Sequence, residues 1–283
     1  MARRRIHTLQ RAPAACSPHP PLLFIHGGYV DARCWDVHFL PFFAARGYEC
    51  HALDLSGHGQ SEGGSELDTL SLDDYLVDVL QVIEQLDRKP IVVGHSMGAF
   101  LAERVLEESR AEAGVLMSPV PPGGTLESAI RLFFQHPQFL GAVFQMSKGI
   151  FDTAALRLIK EVYFSPDTSD EVLGEFTRLV QPESLRAVCD LSLLFWRWPP
   201  RTPALPVLVV GGEADAVFPS YMTERVARRW RGELRIVPGA GHAMIVDQQW
   251  ESCAAPVLAW LQQLTPQPVQ PTSESAPALA CPA

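Results

Sequence analysis

The sequence predicts an α/β fold, a mostly parallel sheet flanked by helices, with a helical cap inserted into it. Apolar runs that suit buried strands alternate with amphipathic helical patterns over residues 21–119 and 204–265. Between them, residues 120–203 carry helical patterns without a strand signal. Near-continuous apolar strands alternating with helices are typical of a parallel sheet covered on both faces. We therefore expect one sheet core and a separate cap.

Six apolar runs supply the predicted strands. They are Leu22–Ile25, Glu49–Leu53, Ile91–Val93, Val115–Met117, Val207–Val210 and Leu234–Val237. Residues 1–20 are predicted to form an N-terminal arm or an edge strand, in which only Arg5–Gln10 has the pattern of a strand.

Helical patterns lie between these runs. In the stretch Leu72–Asp87, apolar residues recur every three or four positions, which predicts an amphipathic helix packed on the sheet. Further helices are predicted within Tyr29–Arg46, Ala99–Ser109 and Tyr221–Arg231.

The predicted cap is rich in aromatic residues, which either form its own core or line an apolar substrate pocket. Its helical stretches are Leu126–Phe134, Phe139–Met146, Thr153–Val162, Ser169–Val180 and Glu183–Trp196. As substrate-binding candidates we take Phe133, Phe144 and Trp196 from the cap, together with Tyr29 from the core.

Composition restricts the partners and the compartment. The formal net charge of −9 argues against nucleic acid as the main partner. Six scattered cysteines suit reduced thiols, no apolar run is long enough for a membrane helix, and no signal peptide is evident, so a cytoplasmic location is predicted. Residues 266–283, rich in proline, serine and glutamine, are predicted to be a disordered tail.

The most informative motif is Gly94-His95-Ser96-Met97-Gly98. It follows the apolar run Ile91–Val93 and precedes a helical pattern, so that Ser96 falls on a sharp strand-to-helix turn. Such a turn exposes the serine hydroxyl as a candidate nucleophile, and the alternative is a glycine-rich turn with an incidental serine.

A serine nucleophile needs a base and an acid that orients the base. His242 lies on a small-residue loop after a predicted strand, and Asp215 follows another strand. The chain order Ser96, Asp215, His242 is the order expected for this chemistry on a parallel α/β sheet. Asp190 and Glu213 are the rival acids.

With these segments the chain resembles the α/β-hydrolase superfamily, in particular serine hydrolases similar to lysophospholipases, monoglyceride lipases and small esterases. The segment Leu22–Gly28 looks like the family's strand that ends in a His-Gly oxyanion loop, and Asp54–Ser61 looks like its Asp-x-x-Gly-x-Gly-x-Ser loop. The resemblance extends over about residues 21–264 and is specific for fold and triad rather than for substrate.

Attack on a carbonyl places negative charge on its oxygen, so backbone N–H groups that form an oxyanion hole are expected nearby. One donor is expected to be the amide of Met97, the residue after the nucleophile, at a helix start that favours negative charge. The second is expected to be the amide of Gly28, with Tyr29 as the alternative, although Gly27-Gly28 is also simply a tight turn.

These residues predict a serine hydrolase that cleaves a carboxylic ester or thioester with an apolar acyl or alcohol part. Alternatives with the same machinery are a cofactor-free perhydrolase, a C–C hydrolase, a lactonase and an amidase. An alternative of another class is a non-catalytic protein that keeps a hydrolase pocket for ligand binding. No cofactor and no metal site are expected, the partner is a small molecule, and the oligomeric state is left open.

Overall fold

The computed structural model describes residues 3–148, 150–192 and 202–264. Within these ranges one seven-stranded sheet has the order β1-β3-β2-β4-β5-β6-β7. β1 pairs antiparallel with β3, and every other pairing is parallel. The strands are β1 (Thr8–Arg11), β2 (Leu22–Ile25), β3 (Cys50–Leu53), β4 (Ile91–His95), β5 (Ala113–Met117), β6 (Val207–Gly212) and β7 (Glu233–Val237).

Helices connect these strands and cover both faces of the sheet. In the core part of the chain they are α1 (Arg33–Asp36), α2 (Phe39–Ala44), α3 (Leu72–Ile83), α4 (Met97–Glu107), α10 (Ser220–Trp230) and α11 (Trp250–Leu264), with a 3-10 turn at Gly64–Thr69. Between β5 and β6 the described residues form α5 (Leu126–Gln135), α6 (Phe139–Ser147), α7 (Thr153–Tyr163), α8 (Asp170–Thr177) and α9 (Leu185–Ser192). The predicted fold class, including the helical insertion, is confirmed.

The sheet is buried on both faces because its central strands consist mainly of apolar residues. All four residues of β2 are buried, and they alternate between two cores. Leu22 and Phe24 pack in the core with Trp35 and α11, whereas Leu23 and Ile25 pack in the core with α3 and α4. Burying one such side chain contributes about 1.5–3 kcal/mol.

The helix predicted over residues 72–87 begins at Leu72 and ends at Ile83. Its start is fixed by a capping box, in which Ser71 accepts from the Asp74 amide while the Asp74 carboxylate accepts from the Ser71 amide. Tyr75 and Val79 on its inner face are fully buried.

The N-terminal segment does supply an edge strand. It lies at Thr8–Arg11, a few residues beyond the start of the predicted run. The predicted tail over residues 266–283 lies outside the described residues.

Candidate active site

Ser96 lies on a strained turn between the last residue of β4 and the first of α4. Its backbone has φ +54° and ψ −117°, a left-handed conformation that is costly for a residue with a side chain. The turn is tight enough that a Cβ on Gly94 would meet the Gly98 carbonyl, and one on Gly98 would meet the Ile25 carbonyl. Glycine is therefore required on both sides of Ser96 by close packing.

His242 lies within hydrogen-bonding distance of the serine. Its Nε2 is 3.1 Å from Ser96 Oγ, and the imidazole is buried on the loop that follows β7. His95 Nε2 donates to the His242 carbonyl at 2.8 Å. Burial and the neighbouring His242 ring lower the pKa of His95 to about 3, so His95 is a neutral donor that fixes the backbone of this loop.

Asp215 completes the chain of contacts. Its Oδ2 lies 2.9 Å from His242 Nδ1, while its Oδ1 accepts from the amides of Val217 and Phe218 at 2.8 and 2.7 Å. Because the carboxylate can only accept, it places the imidazole proton on Nδ1 and leaves the Nε2 lone pair facing Ser96. This arrangement can deprotonate a serine hydroxyl.

The rival acids have other partners. Glu213 accepts from the Gly239 amide at 3.0 Å at an exposed position. Asp190 pairs with Arg186 along α9 at 2.9 Å. Among the three candidates, Asp215 is the one that contacts His242.

Three rings enclose the His242 imidazole. The ring centres of His95, Phe218 and Tyr163 lie 5.1, 5.2 and 5.6 Å from it. Tyr163 comes from the cap, and its carbonyl accepts from the Ala243 amide at 2.7 Å. These contacts reduce water around the imidazole and so strengthen its interactions with Asp215 and Ser96.

The two residues whose amides are expected to form an oxyanion hole line the same cavity. Gly28 and Met97 both line it, and in the described part of the chain neither amide has a hydrogen-bond acceptor. The amide of Tyr29 differs, because it donates to Glu183 Oε2 at 3.3 Å. Of the two alternatives for the second donor, Gly28 therefore has the available N–H.

The cavity has a volume of about 180 Å³ and mainly apolar walls. Its core and cap sides are contributed by Val30, Cys34, Phe176, Val188, Leu191, Val217, Ile245 and Val246. Glu183 also lines it, and no lysine or arginine does so among the residues that the structure describes.

Of the four predicted substrate-binding residues, the structure brings Tyr29 to the cavity but places Phe133 and Phe144 elsewhere. Phe133 is 52% exposed and Phe144 is 58% exposed. In α5 the inward face is formed by Ser128 and Leu132, and the residue after Leu132 points about 100° away from it. Trp196 lies outside the described residues.

Sequence reasoning missed Tyr163, Phe218 and Glu183. The position of Phe218 had a local signal. An Asp side chain often accepts from the backbone amides two and three residues later, and Phe218 lies three residues after Asp215. Tyr163 at the end of α7 and Glu183 between α8 and α9 had none, because their neighbours at the site are distant in sequence.

Glu183 belongs to a buried charged cluster beside the cavity. Its Oε2 lies 3.3 Å from His58 Nε2. Burial acts to lower the pKa of His58, but the facing Glu183 carboxylate, the Ser56 carbonyl and Asp31 together outweigh burial and raise it. Burial acts to raise the pKa of Glu183, but His58 and the hydrogen bonds to the carboxylate lower it. Each member of the pair therefore favours the charged form of the other. Burial and the charge of His58 lower the pKa of the neighbouring His26 to about 4.

The described residues lack two kinds of feature. They contain no group of three or more His, Cys, Asp or Glu side chains placed to hold a metal ion. None of their helices combines the length and the apolar character needed to cross a membrane.

Known proteins share this fold and part of the sequence. The putative non-heme bromoperoxidase BpoC of Mycobacterium tuberculosis is 30% identical over 233 residues, which are 78% of this chain and 86% of that protein. Its crystal structure matches with a TM-score of 0.72 at 25% identity, covering 94% of this chain and 97% of that one. The non-heme chloroperoxidase of Streptomyces lividans is 38% identical over 109 residues, 36% of this chain and 37% of that protein.

An esterase from Exiguobacterium antarcticum has the same fold, with a TM-score of 0.71 at 17% identity over 92% of this chain and 96% of that one. A sequence profile of the alpha/beta hydrolase family matches residues 22–255. The chain belongs to the alpha/beta hydrolase family.

Proposed function

We propose that this protein is a serine hydrolase that cleaves a carboxylic ester or thioester through an acyl-enzyme. The observation that supports this proposal is the continuous chain from Ser96 Oγ through the His242 imidazole to the Asp215 carboxylate, with contacts of 3.1 and 2.9 Å. In this proposal Ser96 is the nucleophile, His242 is the general base, and Asp215 is the acid that orients His242.

In the first half of the reaction Ser96 Oγ attacks the substrate carbonyl and His242 Nε2 accepts the hydroxyl proton. The carbonyl oxygen becomes an oxyanion, which the amides of Gly28 and Met97 stabilise. The bond to the leaving group then breaks, and the proton on Nε2 passes to the departing alcohol or thiol. An acyl-Ser96 ester remains.

In the second half His242 takes a proton from water, and the resulting hydroxide attacks the acyl-Ser96 carbonyl. The bond to Oγ breaks, Nε2 returns the proton to Oγ, and the carboxylic acid leaves. Asp215 stabilises the imidazolium in both halves without accepting its proton.

The cavity supports a neutral, compact and apolar substrate. Its volume of about 180 Å³ is below the roughly 300–1,000 Å³ common for pockets that hold drug-sized ligands. With no lysine or arginine among its described lining residues, it does not favour an anionic acyl group.

Perhydrolysis is a second candidate, favoured by the names of the two peroxidase relatives. Hydrogen peroxide would replace water in the second half, giving a peroxy acid and free Ser96. The peroxy acid would then oxidise a halide outside the site and become the carboxylic acid. The ratio of peroxy acid to carboxylic acid, measured from one ester with and without peroxide, separates this activity from simple hydrolysis.

C–C hydrolase, lactonase, amidase and pure ligand binding stay open as alternatives. A panel of p-nitrophenyl esters with graded acyl chains, acyl-CoA thioesters, lactones and anilides discriminates among the enzymes. Absence of turnover with every class would favour a binding protein.

The proposal is tested with Ser96→Ala, which should fold normally and lose about 10⁴-fold or more of ester turnover. Ser109→Ala is a matched control, because Ser109 also has a left-handed backbone, with φ +53°, but is exposed beyond α4. Ser109→Ala should keep full turnover. If Ser96→Ala kept a tenth of the activity, the proposed mechanism would be wrong.

A further inference from the structure

The short segment Gln181-Pro182-Glu183, here called the cap strap, joins α8 to α9 and contacts the loop that carries Gly28. The Gln181 amide donates to the Tyr29 carbonyl at 2.9 Å. The Tyr29 amide donates to Glu183 Oε2 at 3.3 Å. Both backbone polar groups of Tyr29 are therefore held by the cap strap.

Tyr29 needs this support because its backbone has φ +66°. A residue with a side chain persists in the left-handed region only where its surroundings hold it there. Tyr29 directly follows Gly28, so its conformation determines how the loop leaves the proposed oxyanion donor. The cap strap thus acts on the loop that presents the Gly28 amide.

Side chains of the cap strap bind other core elements as well. Gln181 Nε2 donates to Asp31 Oδ2 at 2.6 Å, and Gln181 Oε1 accepts from the Gly59 amide at 2.9 Å. Glu183 Oε1 accepts from the Tyr75 hydroxyl of α3 at 2.8 Å. These contacts join the cap to the loops that follow β2 and β3 and to the core helix α3.

The charge of Glu183 requires a counter-ion at this position. Glu183 Oε2 lies 3.4 Å from the point that a Cβ on Gly28 would occupy, so the carboxylate stands beside the proposed oxyanion site. An uncompensated negative charge there would oppose the developing oxyanion. His58, with Nε2 3.3 Å away, supplies the opposite charge.

Other ionisable groups face this pair. The His26 ring lies 5.1 Å from the His58 ring, and Tyr75 contacts both members of the pair. Asp31 and Asp54, on the two loops, add negative charge that favours protonated His58 or His26. The surrounding carboxylates therefore support the charged form of His58.

We infer that Glu183, with His58 as its counter-ion, is a positioning residue that holds Tyr29 and thereby the Gly28 amide in place. The oxyanion site is then complete only when the cap strap is seated on the core. The effect on rate rests on the proposed function, whereas the effect on the Tyr29 backbone does not.

The test uses Glu183→Gln in the full chain. An amide offers acceptors on one side only, so it cannot receive all the donors that face the carboxylate. We expect kcat for p-nitrophenyl esters to fall about 10- to 100-fold, somewhat less than loss of a direct oxyanion donor, with KM changed less than threefold. Affinity for a boronic acid, whose adduct with Ser96 places an oxygen in the oxyanion site, should fall by a similar factor.

Glu103→Gln is the matched control for burial of a carboxylate. Glu103 is buried on α4 and accepts from Trp230 Nε1 at 3.0 Å, away from the cavity. Glu103→Gln should lower the melting temperature of the protein without changing kcat or the affinity for the boronic acid. If both variants reduced kcat equally, the role of Glu183 would be structural and the inference would be wrong.

Hydrogen exchange at the Tyr29 amide tests the cap strap without any substrate. Exchange should be faster in Glu183→Gln than in the unmutated protein and unchanged in Glu103→Gln. If Ser96→Ala kept its activity, the proposed function would be wrong. The exchange measurement would still test whether Glu183 holds the Tyr29 backbone.

Should Glu183→Gln fail to fold, Tyr75→Phe is the milder variant, since it removes only the hydroxyl that donates to Glu183 Oε1. It should lower kcat and boronate affinity together by a few-fold and speed exchange at Tyr29. Unchanged exchange and unchanged kcat in whichever variant folds would overturn the inference.

Discussion

His95 Nε2 donates to the backbone carbonyl of His242 at 2.8 Å, although the two residues are 147 positions apart. The residue before the candidate nucleophile thus holds the backbone of the candidate base. Because the pKa of His95 is lowered to about 3, chiefly by burial, this hydrogen bond comes from a neutral ring over the whole working range of pH. This hydrogen bond therefore helps to hold His242 at its distance from Ser96.

Replacing His95 by leucine should lower kcat about 10- to 100-fold, because a misplacement of about 1 Å can cost that much. His95→Gln should retain most of the activity, since the amide nitrogen of glutamine can reach the same carbonyl. Steady-state kinetics on p-nitrophenyl butyrate measures both. Equal activity of the leucine variant and the unmutated protein would show that this hydrogen bond does not position His242.

Asp215→Asn should lower kcat by about 10³- to 10⁴-fold with little loss of stability. Asparagine can still accept from the amides of Val217 and Phe218, but it does not stabilise the imidazolium. Glu213→Gln, two residues away on the same loop and exposed, is the control and should be nearly silent. The reverse result, a silent Asp215→Asn and an inactive Glu213→Gln, would transfer the acid role to Glu213.

The length of the acyl chain should matter until the cavity is full. Each buried methylene contributes about 0.8 kcal/mol, or roughly a fourfold rise in kcat/KM. Val188→Phe fills part of the cavity and should move the optimum to shorter esters. Phe133→Ala, on the outer face of α5, should leave the dependence of kcat/KM on chain length unchanged. A shift of the preferred chain length in this variant would show that Phe133 contacts the substrate.

The ion pair of His58 and Glu183 should make stability depend on pH. The pKa of His58 is raised on folding, so its contribution is complete below about pH 6.5 and is lost as pH rises through the folded value. The pKa of Glu183 is lowered, so its contribution is complete above about pH 4.3 and is lost as pH falls through the folded value. The pair therefore stabilises most between these limits.

Urea unfolding of the unmutated protein and of Glu183→Gln measures this dependence. At pH 5.5 the variant should lose about 3–5 kcal/mol of unfolding free energy, the usual cost of removing one partner of a buried pair. At pH 9 the difference should shrink, because neutral His58 no longer pairs with the carboxylate. An equal difference at both pH values would show that the pair is not ionised in the folded protein.

The sequence was sufficient to predict the sheet because its signals are local. The apolar run at Leu22–Ile25, the alternation of helices with strands and the glycines around Ser96 each follow from short-range patterns. The contacts among Ser96, Asp215 and His242 could also be anticipated, since parallel strands bring their carboxyl ends, and the loops after them, to one edge of the sheet.

The cap was predicted less completely for a physical reason. Its helices were expected from periodicity, but which face of each helix turns inward depends on tertiary packing. Phe133 is therefore exposed while Leu132, one residue earlier, is buried. The role of Glu183 depends on His58, Tyr29 and Tyr75, whose proximity no local pattern indicates.

The most direct test of the central proposal is to trap the acyl-enzyme. The protein is mixed with excess p-nitrophenyl ester, quenched in acid within the first turnovers, and analysed by mass spectrometry before and after proteolysis. We predict a mass increase of one acyl group, carried by the peptide that contains Ser96 and absent from Ser96→Ala. Efficient turnover with no acyl adduct, or an adduct on another residue that persists in Ser96→Ala, would contradict the proposed function.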